Sequence, residues 1–89
     1  MDQLSGDRCP EDLRTINAVV GMMFRHLREG AGYSRDEVAA CLSMHEDEID
    51  LLETGEMPVS VARLYLAGKL FGVKISAFFA PYYHPDQFT

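Results

Sequence analysis

Apolar side chains recur at three- and four-residue spacing along most of this chain, a pattern that predicts helices and no strands. In the first stretch Leu13, Ile16, Val20, Met23, Phe24 and Leu27 share one face. Pro10 suits the first helical turn, Glu11 and Asp12 complement the positive end of the helix dipole, and Gly30 and Gly32 end the helix because glycine takes positive φ without strain. Ser34-Arg-Asp-Glu37 reads as a capping box, with the Ser34 hydroxyl accepting from the Glu37 amide and the Glu37 carboxylate accepting from the Ser34 amide. The helix it opens carries Val38, Ala39 and Leu42 on its apolar side. It runs into Leu42-Ser-Met-His45, a tight break of the length that joins two short helices at a steep angle. A third helix over about 45 to 54 turns Ile49 and Leu52 inward, with Leu51 beside them, and Gly55 closes it.

After the turn Met57-Pro58-Val59, Ser60 caps a fourth helix whose Val61, Leu64, Ala67, Leu70 and Phe71 repeat at helical spacing before Gly72. Ser76 caps a shorter fifth helix, Ala77-Phe-Phe, which Pro81 ends. The division expected is a loose arm over 1–9, one helical domain over 10–81 and an aromatic tail over 82–89. Val20, Phe24, Leu27, Val38, Leu42, Ile49, Leu52, Leu64, Ala67 and Leu70 form the expected core. Phe78, Phe79, Tyr82, Tyr83 and Phe88 exceed what so short a helix can bury alone, so either the N-terminal half of the first helix or a second copy covers them.

Eighty-nine residues, 47% of them hydrophobic, suffice for one small core and no second domain. Charge complicates the functional reading. Fourteen acids against eight bases give a net charge of −6, whereas a nucleic-acid module ordinarily presents a basic patch to phosphates. Arg25, Arg28 and Arg35 nevertheless lie close together in sequence, and position matters more than the total. Between His45 and Glu56 stand six carboxylates and no lysine or arginine. Glu46, Asp47 and Glu48 suit the first turn of a helix, and charge runs are often simply solvated faces.

Other chemistry finds little support. Cys9 and Cys41 form no CxxC pair and have no histidine at zinc-ligand spacing. His45, Glu46 and Glu48 do not make a metal site, since neighbouring helical positions point to different faces and no third ligand accompanies them. No glycine-rich phosphate loop appears, and a small helical domain offers no pocket for a triad around His26. Neither an enzyme nor a bound cofactor is expected. No apolar run approaches the roughly 20 residues that span a bilayer, and the N-terminus lacks a signal-peptide pattern, so a cytoplasmic location without membrane association is expected.

From Phe24 to Phe79 the order and spacing of Leu27, Gly32, Ser34, Glu37, Val38, Ala39, Leu42, Ile49, Glu53, Gly55, Pro58, Leu64, Gly72 and Phe79 resemble the Cro/C1-type, phage-repressor-like (XRE) helix-turn-helix family. The resemblance implies an all-α domain of five helices, in which the helix over 34–42 crosses the DNA backbone and the helix over 45–54 enters the major groove. It implies that Arg28 and Glu53 form a partly buried ion pair. It also implies a transcriptional regulator that binds double-stranded DNA as a homodimer through late elements. Arg25, Ser34 and Arg35 would then meet phosphates, and His45, Glu46, Asp47 and Asp50 would face the bases. The family usually has a glutamine where Arg35 stands, and often Ser, Thr, Gln, Arg or Lys at the readout positions. The acidic substitutes leave a second reading open, in which the same fold engages a basic protein partner through its third helix.

Overall fold

The computed structural model describes residues 12–83. The arm over 1–9, Cys9, Pro10, Glu11, His84 and Phe88 therefore lie outside the described residues. Helix α1 spans Leu13–Ala31, α2 Arg35–Leu42, α3 Glu46–Glu53 and α4 Val61–Phe71. A 3₁₀ helix, Ile75–Phe79, then runs directly into α5, Ala80–Tyr83. No strand occurs among the described residues.

Most of the sequence signals act where they were expected, and four act differently. Helix α1 begins later than a Pro10 start: Asp12 is extended, and its carboxylate accepts from the Arg14 amide at 3.2 Å, so it is the cap and not a first-turn acid. Gly30 stays helical. Gly32, at φ 85°, ends the helix, its amide donating to the Glu29 carbonyl at 3.1 Å while that of Tyr33 donates to Arg28 at 3.1 Å. At the other end of the chain Ser76 lies within the 3₁₀ helix, whose cap position is Lys74, and Pro81 sits near the start of α5 without ending anything. Early in a helix the missing proline N–H has no intrahelical partner to lose.

The capping box of α2 forms in full, with the Glu37 amide 3.1 Å from Ser34 Oγ and the Ser34 amide 2.8 Å from Glu37 Oε1. Ser60 Oγ caps α4 by accepting from the Arg63 amide at 3.2 Å. Apolar faces then meet in one core of Val20, Phe24, Val38, Leu42, Ile49, Leu52, Leu64 and Ala67, joined by Ala39 and Phe78. Leu27 and Leu70, expected within it, are half-buried and pack against its edge.

Phe78 and Phe79 are covered from within the chain. Phe78 is fully buried, its ring stacked 6.0 Å from that of Phe24, which also meets Phe71 edge-on at 5.4 Å. Phe24 belongs to the C-terminal half of α1, so that half takes part in covering Phe78. Phe79 packs on the same core, whereas Tyr83 stays exposed.

Helix α1 is the central element: α3 packs against it, as does the 3₁₀ helix, while α2 bridges α3 and α4. Contact between α1 and the end of α3 is backbone to backbone. A Cβ added at Gly21 would collide with the Leu52 carbonyl oxygen, and one at Gly55 would stand 2.7 Å from Ala18 Cα. No single helix among the described residues is long and apolar enough to cross a membrane.

Candidate nucleic-acid interface

Two eight-residue helices, α2 and α3, are joined by Ser43, Met44 and His45. The turn needs a left-handed residue. Ser43 supplies it at φ 56°, a conformation that is unfavourable for a residue with a Cβ. Arg63 of α4 supports the turn by donating from Nε to the Leu42 carbonyl at 3.0 Å and from Nη2 to the Ser43 carbonyl at 3.1 Å. Those oxygens sit at the C-terminal end of α2, where carbonyls lack intrahelical partners and a cation is favoured.

The two helices are fixed to α1 by charge. Glu53 at the end of α3 accepts from Arg28 Nε at 2.6 Å and Nη2 at 3.1 Å, with both side chains buried, and Arg28 Nη1 donates to the Tyr33 carbonyl at 2.8 Å. The Glu53 hydrogen bond raises the Arg28 pKa above its ordinary value. Burial acts in the opposite direction, while the charges of Glu53 and Glu29 add to the rise.

This pair is the middle of a longer chain of alternating charge. Arg25 Nε lies 3.2 Å from Glu29, Glu29 lies 3.8 Å from Arg28, and beyond Glu53 the Arg35 guanidinium is 3.3 Å from Glu53 Oε1 and 3.7 Å from Asp50 Oδ1. Arg25, Arg28 and Arg35 thus face Glu29, Glu53 and Asp50, three cations against three anions across α1, α2 and α3. The cationic patch suggested by the arginine spacing is neutralised within the fold.

The other residues singled out from the sequence lie on α3 or at the caps of α2 and α3. Ser34 is exposed but its hydroxyl and amide serve the capping box. His45, Glu46, Asp47 and Asp50 are all exposed on α3 or at its cap. Glu48 turns back to accept from the His45 amide at 2.9 Å, so it serves the helix start. Leu51, placed beside the inward residues by its sequence position, is exposed. Among the described residues no cluster of three or more His, Cys, Asp or Glu side chains could hold a metal ion.

Arg63 and the sharing of Arg35 with Asp50 and Glu53 were not foreseen. Each joins residues far apart in sequence, and local periodicity carries no information about such contacts. The only local hint of Arg63's role is a turn that lacks glycine.

Three solved structures share this architecture. The restriction-modification controller protein C.AhdI from Aeromonas hydrophila superposes with a TM-score of 0.66 at 18% identity, over 73% of this chain and 98% of that one. The hypothetical transcription factor NHTF from Neisseria gives 0.70 at 16% identity, over 98% of this chain and 100% of that one. The chain has the Cro/C1-type helix-turn-helix fold. An HTH_3 family transcriptional regulator from Vibrio cholerae gives 0.69 at 22% identity over 85% of this chain, which spans 42% of that longer protein. No protein-family model and no curated protein matches the sequence. Within the helix-turn-helix, α2 is the first helix and α3 the second.

Proposed function

We propose that this chain is a small transcriptional regulator that binds double-stranded DNA, with α3 at the major groove and the start of α2 against the backbone. The observation that carries the reading is the helix-turn-helix itself, locked to α1 by the buried Arg28–Glu53 pair with the outer face of α3 left free. Arg25, Ser34 and Arg35 are the proposed phosphate contacts. His45, Glu46, Asp47 and Asp50 are the proposed base-facing residues, their carboxylates suited to accept from cytosine N4. Like charge on the phosphates makes non-specific binding weak, so affinity must come from matched sequence. The protein is a binding protein without cofactor or catalysis, working in the cytoplasm.

We further propose a homodimer. Tyr65, Leu66, Ile75 and Tyr83 leave an exposed apolar face on α4, the 3₁₀ helix and α5, where Val73 and the lysines Lys69 and Lys74 line shallow grooves.

Selection of binding sites from random duplex DNA at low salt tests the DNA reading. Enrichment of a defined motif rich in cytosine on one strand is expected, with weaker binding by Arg35→Ala. Neither enrichment nor binding at low salt would overturn it. One observation favours a basic protein as the partner instead. Arg25 and Arg35 already face carboxylates, whereas Glu46 and Asp47 make no ion pair among the described residues. Capture of a basic protein by the intact chain, lost in Glu46→Gln/Asp47→Asn, together with absence of DNA binding would decide for that partner.

A further inference from the structure

Arg35 holds an unusual position among the cations of this fold. Its guanidinium is shared between Glu53, which is buried, and Asp50, which is 60% exposed one turn earlier on α3. Glu53 already accepts two hydrogen bonds from Arg28, so it remains paired if Arg35 departs. Asp50 is held differently, by a long contact of 3.7 Å at the surface. Arg35 itself is 35% exposed, at the first residue of α2. One guanidinium therefore has two intramolecular carboxylates and a third place to go.

We infer that Arg35 is a latch. In the free protein Asp50 and Glu53 hold it on α3, and an anionic phosphate oxygen at the start of α2 draws it away, leaving Glu53 on Arg28 and Asp50 free at the groove. Asp50 is then a positioning residue that acts through Arg35 and sets how readily the protein accepts any phosphate. The inference rests on the DNA reading for its biological ligand, but the exchange itself requires only phosphate.

The latch makes a demand that simple repulsion does not. Removing an acid from α3 lessens repulsion of DNA whether or not Arg35 is present. Releasing Arg35 helps only when Arg35 is there. Asp50→Asn should tighten binding to a mixed-sequence duplex about two- to fivefold, the scale of one exposed ion pair. In an Arg35→Ala background most of that gain should vanish. Asp47→Asn, which removes an acid that makes no ion pair among the described residues, should give the same gain in both backgrounds.

The experiment is a polarisation titration of wild type, Asp50→Asn, Asp47→Asn, Arg35→Ala and the two double variants, with circular dichroism confirming that each folds. Equal gains from Asp50→Asn with and without Arg35 would overturn the latch. If none of the proteins binds DNA at low salt, the DNA reading fails, and inorganic phosphate then decides the latch. Phosphate should shift the Arg35 Nε–H resonance at lower concentration in Asp50→Asn than in wild type, and an unchanged midpoint would overturn it.

Discussion

Arg63, in the first turn of α4, holds the carbonyl of Ser43 at 3.1 Å, so the strained residue of the helix-turn-helix is clamped by a helix that takes no part in the motif. Its second bond, to Leu42 at 3.0 Å, ends α2 in the same grip. Arg63→Ala should therefore lower unfolding free energy by about 1–3 kcal/mol, the range for hydrogen bonds from a charged donor. Ser43→Gly should recover part of that loss by removing the Cβ from a left-handed position. Urea denaturation of the two single variants and the double variant measures both effects.

The buried Arg28–Glu53 pair predicts an asymmetry between single and double substitution. Glu53→Gln takes from Arg28 its buried counter-ion, leaving only the longer contact to exposed Glu29, and should cost about 3–5 kcal/mol, enough to lower the melting temperature by more than about 10 °C in a domain this small. Arg28→Met with Glu53→Leu removes both charges and should be less destabilised than Glu53→Gln alone. The raised Arg28 pKa gives the sign of the pH dependence: its contribution is complete at and below neutrality and is lost only in strong alkali. Calorimetry from about pH 6 to about pH 9 should accordingly find the gap between wild type and Glu53→Gln unchanged.

Gly21 and Gly30 lie in the same helix and should respond oppositely to alanine. At Gly21 the new Cβ meets the Leu52 carbonyl, which cannot move without shifting α3, so a loss of about 1–3 kcal/mol is expected. At Gly30 nothing lies within 4 Å, and alanine's helical preference should raise stability by about 0.5–1 kcal/mol. Thermal denaturation of the two variants separates them by sign.

The proposed dimer face places Tyr65 and Ile75 at the surface, clear of the core. Tyr65→Glu with Ile75→Glu should abolish self-association while leaving the melting temperature within a few degrees of wild type. Sedimentation at high micromolar concentration reads the first outcome. A wild-type chain already monomeric there would remove the dimer.

Helix order, the capping box of α2 and most of the core are legible because they are local: Ser34 with Glu37, or Phe24 with Val20, announce themselves within a few residues. Legibility failed where a distant partner decided the outcome. Leu27 and Leu70 have the spacing of core residues, yet they fall at the edge of the packed interface. Arg25 meets Glu29 one turn away in the same helix, whereas Asp50 and Glu53 reach Arg35 only after folding, so the sequence spacing of the arginines does not show that they are paired. Resemblance supplied the Arg28–Glu53 pair, since no periodicity could. Of the positions that the same resemblance implies face DNA, the fold joins Arg35 to Asp50 at 3.7 Å.

The close passage of Gly21 under Leu52, and of Gly55 against Ala18, bears on how freely such a domain can change over time. Where main chain rests on main chain, the spacing of α1 and α3 is independent of side-chain volume. Interior residues can then drift in size and shape, each exchange being absorbed by its neighbours, without tilting the end of α3. The end of α3 is thereby held in place by the two glycines, and not by the particular shapes of the side chains beneath it.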